Sequence, residues 1–443
     1  MPASGQRVDE SARFRTLLSE SLRTPPANAD TDTHRYLGPG SCSAVACHGG
    51  IQPRSETKVL QNEYSTWVTQ DKHASAYAVL TQPLARQMAV ILKIGPAENA
   101  QKCLVCHALP TDSALRAQAY ELSEGVSCES CHGPASSWLG PHIQPTARHA
   151  RMVELGLVDN KDLVARSERC LLCHLGAPGL SVDHEMIAAG HPDLVFELDS
   201  YTAAERPHWI EKAPDQKDPL SDPLFGVRAW ATGQAVQLRQ SMRRVAMRAQ
   251  NGPWPEFSEM DCMACHHSLT APLSWRQRQG YVGHRPGEAP YNLARYVVFR
   301  HLAEEVDAPL DQQLRAEITR VASMITSMST DRGAIVAAAN RASALADQMV
   351  SEIRNASFDR ARTTRLIRAI SSDADAIAAQ GERAAEQATM TLDSLYIANT
   401  KDGADTPDAR AAIDAMFKQV NNPSAYNAPQ FAQQMKKVGS SLR

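Results

Sequence analysis

Hydrophobic residues recur at helical spacing through the last third of the chain. The clearest stretch follows a helix-start signal at Asp307 and Pro309. Its apolar positions, three or four residues apart, are Leu310, Leu314, Ile318, Val321 and Ile325. The same style continues over residues 335–353, 359–377 and 382–397, with chain breaks at Asp402-Gly403 and Asn421-Asn422-Pro423. This pattern predicts an antiparallel helical bundle over residues 300–443. We interpret its apolar stripes as core, while a surface for a partner or a second copy stays open.

Upstream of residue 300 the periodicity is weaker, and proline and glycine are frequent. Residues 63–80 and 83–94 are predicted helices, and residues 214–223 (PDQKDPLSDP) are typical of an exposed loop. The first 35 residues are polar and predict a flexible arm. The predicted organisation is therefore an arm over 1–35, a loop-rich domain over 36–299 and the bundle over 300–443. The fold class is mostly α.

Composition and charge limit the kinds of partner and location that the sequence predicts. The formal net charge of -3 and the pI near 6.6 favour neither a nucleic-acid nor a membrane-surface partner. The sequence contains no run of about 18 consecutive apolar residues, so no transmembrane segment is predicted. Residues 1–40 lack the apolar core of a signal peptide. Aromatic residues make up only 5% of the chain, which is low for a large core.

Cysteine is confined to five short motifs that each end in histidine. Four are C-x-x-C-H runs, at residues 103–107, 128–132, 170–174 and 262–266. The fifth, at residues 42–48, has four residues between its cysteines. C-x-x-C-H is the attachment sequence of c-type haem, so we expect about five covalently bound haems c. Zinc knuckles and redox disulfides are the competing interpretations of such pairs, and a structural disulfide competes at Cys42 and Cys47.

The chemistry of attachment explains the spacing. Each thiol adds to one vinyl group of the porphyrin, and the histidine that follows becomes the proximal axial ligand of the iron. The ten predicted haem-binding cysteines are Cys42, Cys47, Cys103, Cys106, Cys128, Cys131, Cys170, Cys173, Cys262 and Cys265. The predicted proximal ligands are His48, His107, His132, His174 and His266. The macrocycles would supply the apolar area that aromatic residues do not.

Ten histidines remain for about five sixth coordination positions. The candidate distal ligands lie near motifs or in a histidine pair, and are His73, His142, His184, His191 and His284. The alternative for each is a hydrogen bond to a haem propionate, or simple exposure. His149 and His208 are weaker candidates, His267 should point away from the iron of its neighbour, and His301 is assigned a structural role. Met186 is a further candidate that would raise one potential.

Two segments resemble the multihaem cytochrome c superfamily, which includes the tetrahaem electron carrier of nitrifiers and relatives of hydroxylamine oxidoreductase. They are Gly125-Val-Ser-Cys128-Glu-Ser-Cys131-His132-Gly-Pro and Trp67…His73-Ala, the latter downstream of a first motif. The resemblance covers about residues 36–290. It implies a mostly helical fold around stacked or perpendicular haem pairs, with His73 and His142 as distal ligands. The chain departs from it in the Cys42/Cys47 spacing, the fifth motif and the cysteine-free last third.

Three functions follow from these features. The leading hypothesis is a periplasmic or extracellular electron carrier that serves redox partner proteins. Its leader would be removed or lie upstream, because haem c is attached outside the cytoplasm. The second is an oxidoreductase with one open haem acting on a small nitrogen or sulfur compound. The third is a docking subunit of a respiratory or filamentous assembly that self-associates through the bundle. No catalytic residue is predicted, and whether the chain is an enzyme stays open.

Overall fold

A computed structural model describes residues 34–54, 59–109, 111–177, 180–206, 208, 224–266, 288–329, 331–400, 406–422 and 426–442. The chain forms two compact units. Unit 1 contains Met1–Pro192 and Glu205–Glu211, and unit 2 contains Asp193–Ala204 and Lys212–Arg443. Nearly all of the predicted arm, the predicted loop at 214–223 and His284 lie outside the described residues.

Unit 1 is built from short helices joined by loops. Its α-helices are α1 (Glu63–Gln70), α2 (Pro83–Leu92), α3 (Gln101–His107), α4 (Cys128–His132), α5 (Leu139–His142), α6 (His149–Glu154), α7 (Leu163–His174) and α8 (His184–Ala189). Its 3-10 helices are Pro39–Cys42, Lys72–Ser75, Ala78–Thr81, Ala97–Asn99, Ser113–Leu115 and Leu122–Glu124.

The predicted helix over 63–80 is interrupted at Asp71. This residue is extended, with φ -89° and ψ 130°, and its carboxylate accepts a hydrogen bond from the backbone N–H of His73 at 2.9 Å. An aspartate favours a new helix start over continuation because its side chain satisfies a free N–H. The break separates α1 from the 3-10 helix that carries His73.

The described part of unit 1 contains two small apolar clusters. One combines Leu80, Ala89, Ala97, Leu104 and Ala108, and another combines Ala135, Trp138 and Met152.

Unit 2 consists of longer helices. They are α9 (Leu198–Ala204), α10 (Phe225–Asn251), α11 (Phe299–Val306), α12 (Ala308–Thr326), α13 (Arg332–Asn355), α14 (Arg360–Ser372), α15 (Ala374–Ala379), α16 (Glu382–Thr400), α17 (Pro407–Val420) and α18 (Ala428–Ser441). The 3-10 helices Phe257–Glu259 and Cys262–Ala264 lie between α10 and α11. The described residues of the chain form no β-sheet and only three isolated β-bridges. The predicted mostly-α class is confirmed.

Helix α12 follows the predicted pattern closely. All five of its periodic apolar residues are buried, the side chain of Asp307 accepts from the N–H of Leu310 at 2.9 Å, and Pro309 lies in the first turn. The predicted helix over 359–377 is instead two helices, α14 and α15. The chain turns at Asp373, whose carboxylate pairs with Arg300 and His301.

Helix α10 is buried along most of its 27 residues, including Gln234, Gln237 and Arg244. A helix surrounded on all sides shows no apolar stripe, so the amphipathic pattern does not reveal it. Unit 2 also holds the fifth cysteine motif, residues 262–266, which the sequence pattern groups with the other four.

A buried ionic cluster fixes the 3-10 helix before that fifth motif. Arg244 Nε and Arg248 Nη1 donate to Glu259 Oε1 at 2.8 and 2.5 Å, and the Glu259 side chain is 2% exposed. Burial opposes ionisation of Glu259, but the two guanidinium groups outweigh it and lower its pKa to about 2. The ionised carboxylate therefore ties α10 to the segment that enters the fifth motif.

None of the helices in the described part of the chain is both long and apolar enough to cross a membrane.

We predict that Glu259→Gln lowers the free energy of unfolding by about 3–5 kcal/mol, because it leaves buried guanidinium groups without their anionic partner. The pKa is depressed in the folded state, so this stabilisation is present above the ordinary carboxyl pKa near 4.5 and is lost as the pH falls towards about 2. Denaturant titration followed by far-ultraviolet circular dichroism at several pH values measures both effects.

Glu304→Gln is the matched control. Glu304 forms an exposed pair with Arg315 at 3.7 Å, so its loss should cost no more than about 1 kcal/mol. Equal losses for the two variants would contradict the assigned role of the buried cluster.

Candidate metal centres

Three of the cysteine motifs lie at the end of a helix. Helices α3, α4 and α7 end at His107, His132 and His174, and each contains both cysteines of its motif within the last turns. Cysteines three positions apart lie close together on one side of such a turn. These helices therefore present two sulfurs and an imidazole together.

Most of the first motif lies in a turn and not in a helix. Cys42 ends a 3-10 helix, and the chain then turns so that the N–H groups of Cys47 and Gly49 donate to Ala44 O at 2.8 and 3.0 Å. The turn brings Gly49 so near Ser43 that a Cβ on Gly49 would lie 1.8 Å from Ser43 O. The wider cysteine spacing is thus accommodated by a compact turn that requires glycine after His48.

The fifth motif begins with a 3-10 helix over Cys262–Ala264. The carboxylate of Asp261 accepts from Met263 N at 2.8 Å, and His266 N donates to Cys262 O at 2.8 Å. Both cysteines of this motif are exposed.

Three motif histidines face three of the predicted distal histidines. The ring centroids lie 6.3 Å apart for His48 and His142, 6.1 Å for His174 and His73, and 6.3 Å for His107 and His191. The ring planes are nearly parallel in the first pair, at 10°, and nearly perpendicular in the others, at 87° and 85°.

The centroid separations match two imidazoles that bind one metal ion from opposite sides. A histidine nitrogen lies about 2 Å from its metal and about 1 Å from its ring centre, which places the two centroids roughly 6 Å apart. The donor set also fits, because imidazole is an established axial ligand of haem iron. We refer to these sets as the three ring pairs.

The remaining predicted ligands lie outside the three ring pairs. His132 is a motif histidine of unit 1, His266 belongs to unit 2, and His184 begins α8 seven residues before His191. His208, a weaker sequence candidate, lies beside Asp71 and Glu205, with one ligand atom of each within 4.8 Å of the others. Burial, followed by the charge of Asp71, raises the pKa of Glu205 to about 7.

Two rings of the pairs are held by carboxylates. His48 Nδ1 lies 2.9 Å from Glu63 Oε2, and His73 Nδ1 lies 3.0 Å from Asp71 Oδ1. These hydrogen bonds raise the pKa of both histidines, although burial opposes the shift. Since Nδ1 is engaged, Nε2 is the nitrogen left to face a metal.

Three further rings of the pairs hold their Nδ1 against a backbone carbonyl. The contacts are His107 with Ala76 O at 2.9 Å, His191 with Pro192 O at 2.7 Å, and His142 with Leu139 O. A hydrogen bond of this kind fixes the tautomer and the orientation of a ring whose other nitrogen binds a metal.

Burial keeps several motif histidines neutral. It lowers the pKa of His132 and His174 to about 4 and also lowers the pKa of His107. A ligating imidazole must be unprotonated, so a lowered pKa favours these histidines as candidate ligands.

Thiols of different motifs lie in contact. A hydrogen bond between Cys42 and Cys128 lowers the pKa of the first and raises that of the second, and a similar bond to Cys106 raises the pKa of Cys173. All ten cysteines are among the described residues, and none is in a disulfide. The attachment points of motifs one and three are therefore neighbours, as are those of motifs two and four.

The two segments that carry the superfamily resemblance contact each other. Trp67 Nε1 donates to Val126 O at 3.2 Å, and Val126 N donates to His73 O at 3.1 Å. Gly125 has a φ of +73°, and a Cβ there would lie 2.8 Å from His73 O. The loop before Cys128 therefore fixes the backbone of His73.

The sequence pattern does not identify Glu63, Asp71 or Glu129 as parts of the site. Glu129, inside the third motif, is 2% exposed and accepts from the N–H groups of Leu37, Gly38 and Ala135. The one available signal is the position of Asp71 two residues before His73. Glu63 and Glu129 meet their partners only through the fold.

Cysteine motifs on helix ends, paired imidazoles and oriented Nδ1 groups are the arrangement expected of a c-type cytochrome. Residues 42–133 match the family model described as "Cytochrome c554 and c-prime". The match supports a multihaem c-type cytochrome family and an electron-carrying role, with covalently bound haem c as cofactor. Neither the search of curated proteins nor the search of solved structures gives a match.

We predict that Gly49→Ala removes one covalent haem per chain. The added Cβ would overlap Ser43 O and open the turn that brings Cys47 and His48 beside Cys42. Intact mass after acid denaturation counts the haems.

Gly40→Ala is the control, because a Cβ at that glycine meets nothing within 4 Å. An unchanged haem count in Gly49→Ala would show that the first motif tolerates a different closure.

Proposed function

We propose that this chain is a periplasmic or extracellular electron-transfer protein with about five covalently attached haems c. The observation that carries the proposal is the set of three ring pairs, each joining a motif histidine to a histidine from another segment. In this proposal the ten motif cysteines hold the haems and the five motif histidines are proximal ligands. His142, His73 and His191 are the distal ligands at the first, fourth and second motifs.

Two imidazoles leave an iron with no position for a substrate. The iron then gains or loses an electron without a change of ligands, and the surrounding hydrogen bonds hold both rings in place. Such a site is suited to relaying electrons. Bis-histidine ligation also gives a lower potential than histidine–methionine ligation, since methionine raises it.

The thiol contacts support a relay with neighbouring haems. Because each sulfur would be bonded to a porphyrin edge, contact of Cys42 with Cys128 and of Cys106 with Cys173 brings the edges of two haem pairs together. Electrons would pass between the first and third motifs and between the second and fourth. Redox partner proteins would supply and remove them. Self-association through residues 300–443 would favour the third function, a docking subunit of a larger assembly.

A second candidate function is redox chemistry at the iron of His132. The ring of His132 belongs to none of the three ring pairs, and unit 1 gathers Asp71, Glu205 and His208 into one cluster. Glu205, with its pKa near 7, could exchange protons at neutral pH. This candidate requires one open iron that acts on a small nitrogen or sulfur compound.

In the electron-carrier proposal, His184 or His284 would be the distal ligands at haem irons outside the three ring pairs.

Electron paramagnetic resonance of the oxidised protein tests the proposal. Parallel imidazole planes separate the energies of two iron d orbitals, whereas perpendicular planes leave those energies almost equal. We therefore expect one rhombic low-spin signal from His48/His142 and two strongly anisotropic low-spin signals from the perpendicular pairs. Intact mass should show about five haems.

A spectrum dominated by high-spin iron, together with rapid binding of carbon monoxide, would contradict the relay. A single high-spin signal beside the three expected low-spin signals would favour the second candidate. A mass equal to four haems would exclude attachment at Cys42 and Cys47.

We predict that His142→Gly abolishes the rhombic signal and creates one high-spin iron that binds carbon monoxide, while the haem count is unchanged. The reason is that the proximal His48 and both thioethers remain. His149→Gly is the control, since His149 pairs with Asp159 at 2.9 Å and lies outside the ring pairs. Retention of the rhombic signal in His142→Gly would exclude His142 as the ligand.

A further inference from the structure

The three ring pairs differ in the acceptors that hold their Nδ1 atoms. In the His107/His191 pair both acceptors are neutral backbone carbonyls. The His48/His142 pair combines the Glu63 carboxylate with a carbonyl. In the His73/His174 pair, His73 is held by the Asp71 carboxylate. In two of the three ring pairs, therefore, a negatively charged carboxylate accepts a hydrogen bond from one Nδ1. In the His107/His191 pair both Nδ1 acceptors are uncharged.

Both carboxylates are sheltered from solvent. The side chain of Asp71 is 4% exposed and that of Glu63 is 14% exposed. Their charges are screened less than those of surface groups, so each acts strongly on the metal behind its histidine. Each is also anchored by the backbone: Asp71 Oδ1 accepts from His73 N at 2.9 Å, and Glu63 Oε1 accepts from Gln61 N at 3.1 Å.

A carboxylate that accepts the Nδ1 proton makes the imidazole a stronger electron donor through Nε2. It also brings a negative charge near the iron, which favours the more positive ferric state. Both effects lower the reduction potential. A carbonyl oxygen orients the ring in the same way but carries no net charge, so its effect is smaller.

We propose that Glu63 and Asp71 are positioning residues that set the order of potentials in unit 1. They hold the potentials at His48/His142 and His73/His174 below the potential at His107/His191. The iron at the second motif then keeps its electron longest among the three. This inference rests on the proposed function, because it requires haem iron between each pair of rings.

The test uses the complete haem-loaded protein and the variants Asp71→Asn and Glu63→Gln. Both amides remove the charge and keep one oxygen that can accept from Nδ1. In Asp71→Asn that oxygen can also keep the bond from His73 N and so the capping role, whereas in Glu63→Gln the bond from Gln61 N to the other oxygen is lost. Redox titration is followed by electron paramagnetic resonance, so that the rhombic and the anisotropic signals are assigned to their own midpoints.

Glu63→Gln should raise the midpoint of the rhombic signal alone, and Asp71→Asn should raise the midpoint of one anisotropic signal. We expect about a tenfold change in the redox equilibrium of the affected iron, the lower end of what loss of an outer-shell partner costs a metal site. For a one-electron couple that is a shift of about 59 mV.

Asp159→Asn is the matched control. It removes the charge from another histidine–carboxylate contact, His149 Nε2 to Asp159 Oδ1 at 2.9 Å, at a histidine outside the ring pairs. Its midpoints should equal those of the unaltered protein. The two test variants concern different motifs, so failure of one to load haem leaves the other as the test.

The outcome separates this inference from the proposed function. Unaltered protein without the rhombic and anisotropic low-spin signals would contradict the proposed function itself. A different result would overturn only the role of the carboxylates. In that case a haem-loaded variant keeps its low-spin signals, and its midpoints move no further than those of Asp159→Asn. A second-motif midpoint below the other two in unaltered protein would also overturn it.

Discussion

The spacing that two imidazoles need to bind one metal ion is the constraint on which the proposed sites of unit 1 depend. It is met at 6.1–6.3 Å by three pairs whose members come from segments far apart in the sequence. Closing such long loops costs entropy. In the proposed holoprotein, ligation and thioether bonds act as cross-links that offset this cost. Short helices and loops are sufficient once their ends are held in this way.

Unit 2 is stabilised differently. Its long helices bury continuous rows of Leu, Ile, Ala and Val, and the interior of α10 also contains arginine and glutamine. The Arg244–Glu259–Arg248 cluster gives those buried charges a partner and fixes the chain just before Cys262. The fifth motif is thus connected to the long helices of unit 2, whereas the other four motifs lie in unit 1.

Local chemistry was predictable from the sequence, and contacts between distant segments were not. The periodicity and cap of α12 are properties of neighbouring residues, as is the Cys–Cys–His order of each motif. His73, His142 and His191 could be nominated because they lie near motifs, but their partners depend on the fold. Helix α10 escapes prediction because burial on all sides removes the amphipathic signal. Glu63 reaches His48 only because the chain returns to that ring over the 15 residues that separate the two.

The three ring pairs overlap along the sequence. The segment after the first motif supplies His73 to the fourth, the segment after the third supplies His142 to the first, and the segment after the fourth supplies His191 to the second. During synthesis no ring pair can be completed before His142 has emerged, and the second and fourth motifs wait for still later residues. Unit 1 therefore cannot be divided into smaller pieces that each retain a complete site.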